Sequence, residues 1–127
     1  MRGISYWFYL VAALSVTFGM IWGIVMAISQ DHTLSPAHAH LNLVGWVTMG
    51  LFGIYYHLVP ESGATRLAKI HFVVATAGLV LLAPGIAIAL LYDFEGLAAI
   101  GSLVTLASML IFLWTVIRDG RGRKLAF

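Results

Sequence analysis

The side chains able to do chemistry in this 127-residue chain are few, and histidine leads them. His32, His38, His40, His57 and His71 stand beside seven Lys and Arg and five Asp and Glu, and there is no cysteine. Without thiols the chain has no disulfides, thiolate metal sites or sulfur nucleophiles. Imidazole, with methionine second, is what remains as a ligand for haem or a transition metal. His38 and His40 are two residues apart, so on an ideal helix they point about 200° from each other. Three arrangements are open. The two histidines serve different sites, an irregular first turn brings both to one metal, or one binds while the other hydrogen-bonds, with Asn42 as a neighbour. His71 lies between Ile70 and Phe72 with no acidic residue close in sequence, which suits either a ligand or a buried hydrogen-bond donor. His57 follows Tyr55 and Tyr56 as an interfacial side chain, and His32 belongs to an exposed loop.

The elements that must position these groups are membrane spans. The chain is 61% apolar and only 9% charged, against about 25% charged in an average soluble domain. Four stretches lack Asp, Glu, Lys and Arg altogether: Gly3–Gln30, His32–Pro60, Ile70–Tyr92 and Gly96–Ile117. Each exceeds the roughly 20 residues that cross a hydrocarbon core. The sequence predicts an all-α integral membrane four-helix bundle, one transmembrane domain over residues 1–127, with spans at about 4–28, 37–59, 67–91 and 96–117. The first stretch is too long for a signal-peptide core and is read as span one.

All seven bases fall where one side of the membrane would put them. Arg2 precedes span one, Arg66 and Lys69 lie between spans two and three, and Arg118, Arg121, Arg123 and Lys124 follow span four. The positive-inside rule then places both termini in the cytoplasm, and a prokaryotic inner membrane is the expected location. The basic balance reports topology and headgroup contact, and no nucleic-acid partner is expected.

Orientation turns position into depth. His38 and His40 fall near the outer end of span two, His57 near its inner end, and His71 near the inner end of span three. His40 and His71 are separated by roughly 20–25 Å of helix rise, whereas a metal–imidazole bond is about 2 Å. One iron cannot bridge them within one chain. At matching depth the pairs are His57 with His71 on the inner side, and on the outer side His40 with Met26 of span one, or His40 with its mate across a two-fold axis.

Lipid gives helices no hydrophobic drive to associate, so close backbone approach must supply the contact. Ser15, Gly19, Gly23 and Ala27 make one smooth face on span one, either for packing inside the unit or for a homo-oligomer seam. Ser35 is the expected N-cap of span two, with Pro36 in its first turn. Span three is expected to start near Ser62, and Pro84-Gly85 to kink it and free a carbonyl.

The segment containing His38, His40, Asn42, Gly45 and Trp46, continuing through Gly50, Gly53, Tyr55, Tyr56, Pro60 and Glu61, resembles the second span of the catalytic subunit of haem–copper oxidases. The nitric oxide reductase and cbb3-type branches are the most similar, with weaker likeness from Leu67 to Phe72. The resemblance implies that a His followed closely by Asn ligates low-spin haem b near the outer face. The His-x-Asn spelling points to His40, with His38 as a second ligand or supporting partner. The family's second axial ligand comes from a late span that has no counterpart here, and no His-His pair for a second metal centre is present. The oxygen- or nitric-oxide-reducing chemistry is therefore not carried over.

The expected function is a haem b-binding membrane protein, electron-transferring with a quinol or redox protein and working in the lipid bilayer as a homo-oligomer. Its cofactor-binding candidates are His40, His38, His71, Asn42 and Met26. The alternatives are a copper or zinc protein using His40, His38 or His71, and a cofactor-free scaffold or assembly subunit. No independent oxidase or reductase activity is expected. The outer side offers no Lys or Arg to pair haem propionates, and no Asp or Glu lies in a span core.

Overall fold

The computed structural model describes residues 1–122; Arg123 and Lys124, two of the seven bases, lie outside the described residues. Every regular element among the described residues is helical. In chain order these are α1 (Ile4–Ser29), α2 (Ser35–His40), a π-helical segment (Leu41–Thr48), α3 (Met49–Leu58), α4 (Pro60–Gly63), α5 (Arg66–Tyr92) and α6 (Gly96–Gly122). Three of them, α1, α5 and α6, are long and apolar enough to cross a membrane, the pattern of a multi-pass membrane protein. Between α1 and α5, α2, the π segment and α3 follow one another without a gap, so residues 35–58 are helical throughout.

Helix ends lie close to the sequence expectation, with three departures. Leu34, not Ser35, occupies the N-cap of α2, and no side chain caps it. Ser35 N–H instead donates to His32 O at 3.1 Å, and His38 N–H to Leu34 O at 3.0 Å, while Pro36 takes its place in the first turn. The start of the third expected span, α5, moves from the region of Ser62 to Arg66. Val59 leaves the helical region at φ −122° and ψ 69°, so Pro60–Gly63 form a separate turn. Thr65, extended at φ −76° and ψ 155°, then caps α5 by accepting from Ala68 N–H at 3.2 Å, which meets one of the helix's orphan donors. Finally, α6 continues past Ile117 to Gly122.

Two antiparallel helix pairs make up the bundle. In the first, α1 lies against the run 35–58: Ser15 meets Gly45, Gly19 meets Asn42, Gly23 meets His38, and Ser5 and Phe8 meet Gly53. Ser15, Gly19 and Gly23 of the small-residue face are thus spent inside the chain, while Ala27 is exposed. In the second, α5 lies against α6, and the backbones nearly touch. A Cβ on Gly101 would stand 2.5 Å from Leu82 N, and one on Gly85 2.7 Å from Ala98 N. Only a residue without a side chain permits that approach, and it gives dispersion contact where hydrocarbon gives no other drive. The helix α5 stays continuous through Pro84.

The pairs meet over an aromatic core of Phe8, Phe52 and Tyr56 with Met49, to which Phe72 and Phe112 add their rings. Side chains on the outside are apolar as well: Phe18, Met20, Ile28, Val73 and Leu103 are all more than half exposed. Patches of that extent are abnormal in water and ordinary in lipid.

Candidate functional site

The two candidate histidines share a regular helical turn and face different surroundings. His38 turns toward α1. Its Nε2 lies 2.9 Å from Gly19 O, its ring stands edge-on to Trp22 with centroids 5.9 Å apart, and the side chain is half-buried. A carbonyl can only accept, so this bond requires the proton on Nε2. A protonated Nε2 cannot also accept from the Asn42 amide, whose nitrogen lies 3.1 Å away. The Asn42 amide therefore meets it with its oxygen or leaves that bond unmade. Either way the Nε2 lone pair of His38 is not available to a metal.

His40 is exposed on the outside of the helix. Its Nδ1 lies 2.7 Å from Pro36 O, the carbonyl one turn back. The same logic puts the proton on Nδ1, so Nε2 carries a lone pair directed away from its own backbone. This is the form in which histidines ligate metals, with the second nitrogen held by a carbonyl that fixes tautomer and ring orientation. The pair thus divides into a half-buried imidazole tied to α1 through its Nε2 and an exposed imidazole whose Nε2 is open.

The π-helical segment begins at the residue after His40. Such wide turns are rare and occur often at functional sites. Thr48 Oγ1 donates to Leu43 O across five residues at 2.9 Å, a side-chain bond that spans the widened turn. Within the segment Gly45 is buried beside Ser15, and Trp46 lies edge-on to Tyr9 at 6.1 Å.

The other candidates differ from His40 in exposure and partners. Met26 is buried at 7% exposure on α1, whereas His40 is exposed. His71 is fully enclosed, at 0% exposure, by Phe8, Phe52, Phe112 and Tyr56, with ring centroids 4.5–5.8 Å away. Its Nδ1 is 2.8 Å from Tyr56 Oη, and its Nε2 has no hydrogen-bond partner. The aromatic rings around it leave an N–H only the weak bond to a π face. His57 is exposed, as is His32. Beside His32, Thr33 donates its hydroxyl at 2.6 Å and its amide at 3.0 Å to Asp31 Oδ1. Those bonds, the hydroxyl first, hold the Asp31 carboxyl below its ordinary range.

A polar cluster that the sequence did not single out closes the opposite end of the bundle. Asp119 Oδ2 accepts from Tyr55 Oη at 2.8 Å and from Ser62 Oγ. Arg118 pairs with Asp119 Oδ1 at 3.2 Å and donates to Ser62 Oγ at 3.0 Å. The cluster pins the end of α6 to α3 and α4. Its members are 56 to 64 residues apart in sequence, so no local pattern could announce it.

Among the described residues no three His, Asp or Glu side chains converge to hold a metal ion. No protein-family model matches the chain, and comparison with curated proteins and with solved structures returns no match.

Proposed function

We propose that this chain is a haem b-binding protein of the haem–copper oxidase subunit I-like type, with His40 as an axial ligand, transferring electrons as a homo-oligomer. The observation that carries the reading is the tautomer of His40, whose Nδ1–H on Pro36 O leaves Nε2 as an outward-facing donor. His40 supplies one donor of the kind a haem iron takes, a neutral imidazole. His38 is the supporting partner: with Gly19 and Asn42 it holds the turn that carries His40 against α1. His71 and Met26 lie buried away from that exposed nitrogen and take no part in this reading. Bound haem supplies one-electron chemistry, exchanged with a quinol or a redox protein.

The same reading assigns the membrane arrangement. The helical run 35–58 exceeds the roughly 20 residues a span requires, which with α1, α5 and α6 makes four spans. The distribution of Lys and Arg puts both termini in the cytoplasm of a prokaryotic cell and His40 beneath the outer surface. Outer-side propionates would meet water and hydroxyl or amide donors there, since no base is at hand.

The test is elemental and haem analysis of the purified protein beside its His40→Ala variant. Iron with extractable haem b in the first, and a loss of tenfold or more in the second, is the expected result. Copper or zinc lost on the same substitution would replace haem by a bare ion at the same nitrogen. No metal in either protein would leave a cofactor-free scaffold.

A further inference from the structure

Arg2 and Arg118 stand at the same end of the bundle and are used differently. Arg118 pairs with Asp119. Arg2, exposed ahead of α1, accepts at its backbone carbonyl from Ser5 Oγ at 2.8 Å. Its guanidinium has no ion pair or hydrogen bond among the described residues.

Arg2 lines a cavity of about 510 Å³ between the start of α1 and the junction of α3 with α4. Its walls include Ile4, Tyr56, His57, Pro60 and Ala64. His57 is exposed and brings a ring N–H, a donor in either tautomer. No Asp or Glu lines the cavity; Glu61, the residue after Pro60, lines a separate hollow with Arg118 and Asp119. Largely apolar walls with free donors suit an anion that has an apolar body. Depth narrows the choice. Tyr6 and Trp7, in the first turn of α1, are about half exposed, as amphipathic rings at headgroup level are. In the membrane arrangement proposed above, the cavity lies on the side of the Lys and Arg, at the level of lipid phosphates.

We infer that this cavity holds the phosphodiester headgroup of an anionic membrane lipid, with the Arg2 guanidinium and the His57 ring N–H as its donors. The acyl chains run down the apolar outside of the bundle. The site rests on the membrane arrangement and is independent of haem.

The experiment counts lipid adducts by native mass spectrometry of the detergent-purified protein, with phosphatidylglycerol or phosphatidylcholine added. The wild type is expected to hold a single phosphatidylglycerol, preferred about fivefold, the worth of one basic side chain near a lipid surface. Arg2→Gln should lose the preference. Ala64→Phe, which fills the cavity and leaves every charge in place, should lose the adduct, while Lys69→Gln should keep it. Equal binding of the two lipids, or equal weakening by Arg2→Gln and Lys69→Gln, would overturn the site in favour of general attraction. Displacement of the lipid by inorganic phosphate would make the ligand a free anion and overturn the lipid. Wild-type protein that stays in aqueous solution without detergent would overturn the membrane arrangement as well.

Discussion

His38 Nε2 and Gly19 O, on antiparallel helices, lie 2.9 Å apart, and that bond commits the Nε2 of His38 to holding α1. Removing it should loosen α1 from the turn below His40 without removing the donor at His40. Interhelical hydrogen bonds in membranes average about 0.6 kcal/mol and reach about 1.7. His38→Ala is expected to destabilise the protein by an amount in that range, measured by unfolding in mixed micelles, while keeping at least half of the bound haem. Complete loss of haem with unchanged stability would make His38 the ligand instead.

Gly19 is also constrained by a second contact of the same helix pair, since a Cβ there would collide with the Asn42 side chain. Gly19→Val should therefore separate the helices more severely than His38→Ala. Expression and unfolding of the two variants provide the comparison, and a Gly19→Val protein as stable as wild type would contradict the packing described.

Tyr56 and His71 form a buried polar pair, 2.8 Å apart inside an aromatic box. Tyr56→Phe leaves an imidazole in the core with no partner on either nitrogen, at a cost of about 1–3 kcal/mol. Replacing both, Tyr56→Phe with His71→Phe, removes the polar groups together and should recover most of that loss. Unfolding of the single and double variants decides it. A double variant worse than the sum of its parts would mean the pair does more than pack.

Asp31 in the loop between α1 and α2 titrates below its ordinary range because Thr33 donates two bonds to it. A depressed carboxyl stabilises the folded loop above the ordinary carboxylate pKa, and that stabilisation fades as the pH falls through the lowered value. Thr33→Val removes the larger donor and should move the Asp31 titration upward, as followed by carboxyl carbon resonances. An unchanged titration would show that the hydroxyl bond is absent in solution.

The three long apolar helices were legible because length and hydropathy alone decide them. The ends of α1 and the C-terminal end of α5 lie within a residue of the sequence reading, whereas α5 begins at Arg66 and not near Ser62. The helical run of residues 35–58 was the harder case: its outline could be read, but the π-helical turns of residues 41–48 leave no mark on a hydrophobic pattern. The division of labour between His38 and His40 was posed by their spacing and not decided by it. It depends on Gly19, nineteen residues earlier, and on the Pro36 carbonyl one turn back. Gly19 was visible only as part of a smooth helix face. The anchoring of Asp119 by Tyr55 and Ser62 was invisible, since it joins residues with no periodic relation. His71 was posed as ligand or hydrogen-bond donor, and the structure encloses it beside Tyr56.

An absorption spectrum of the detergent-purified protein, reduced minus oxidised, tests the central claim most directly. The wild type and His38→Ala should show the Soret and α bands of haem b, and His40→Ala should lose them. Bands absent from the wild type, or undiminished in His40→Ala, would contradict the assignment of His40.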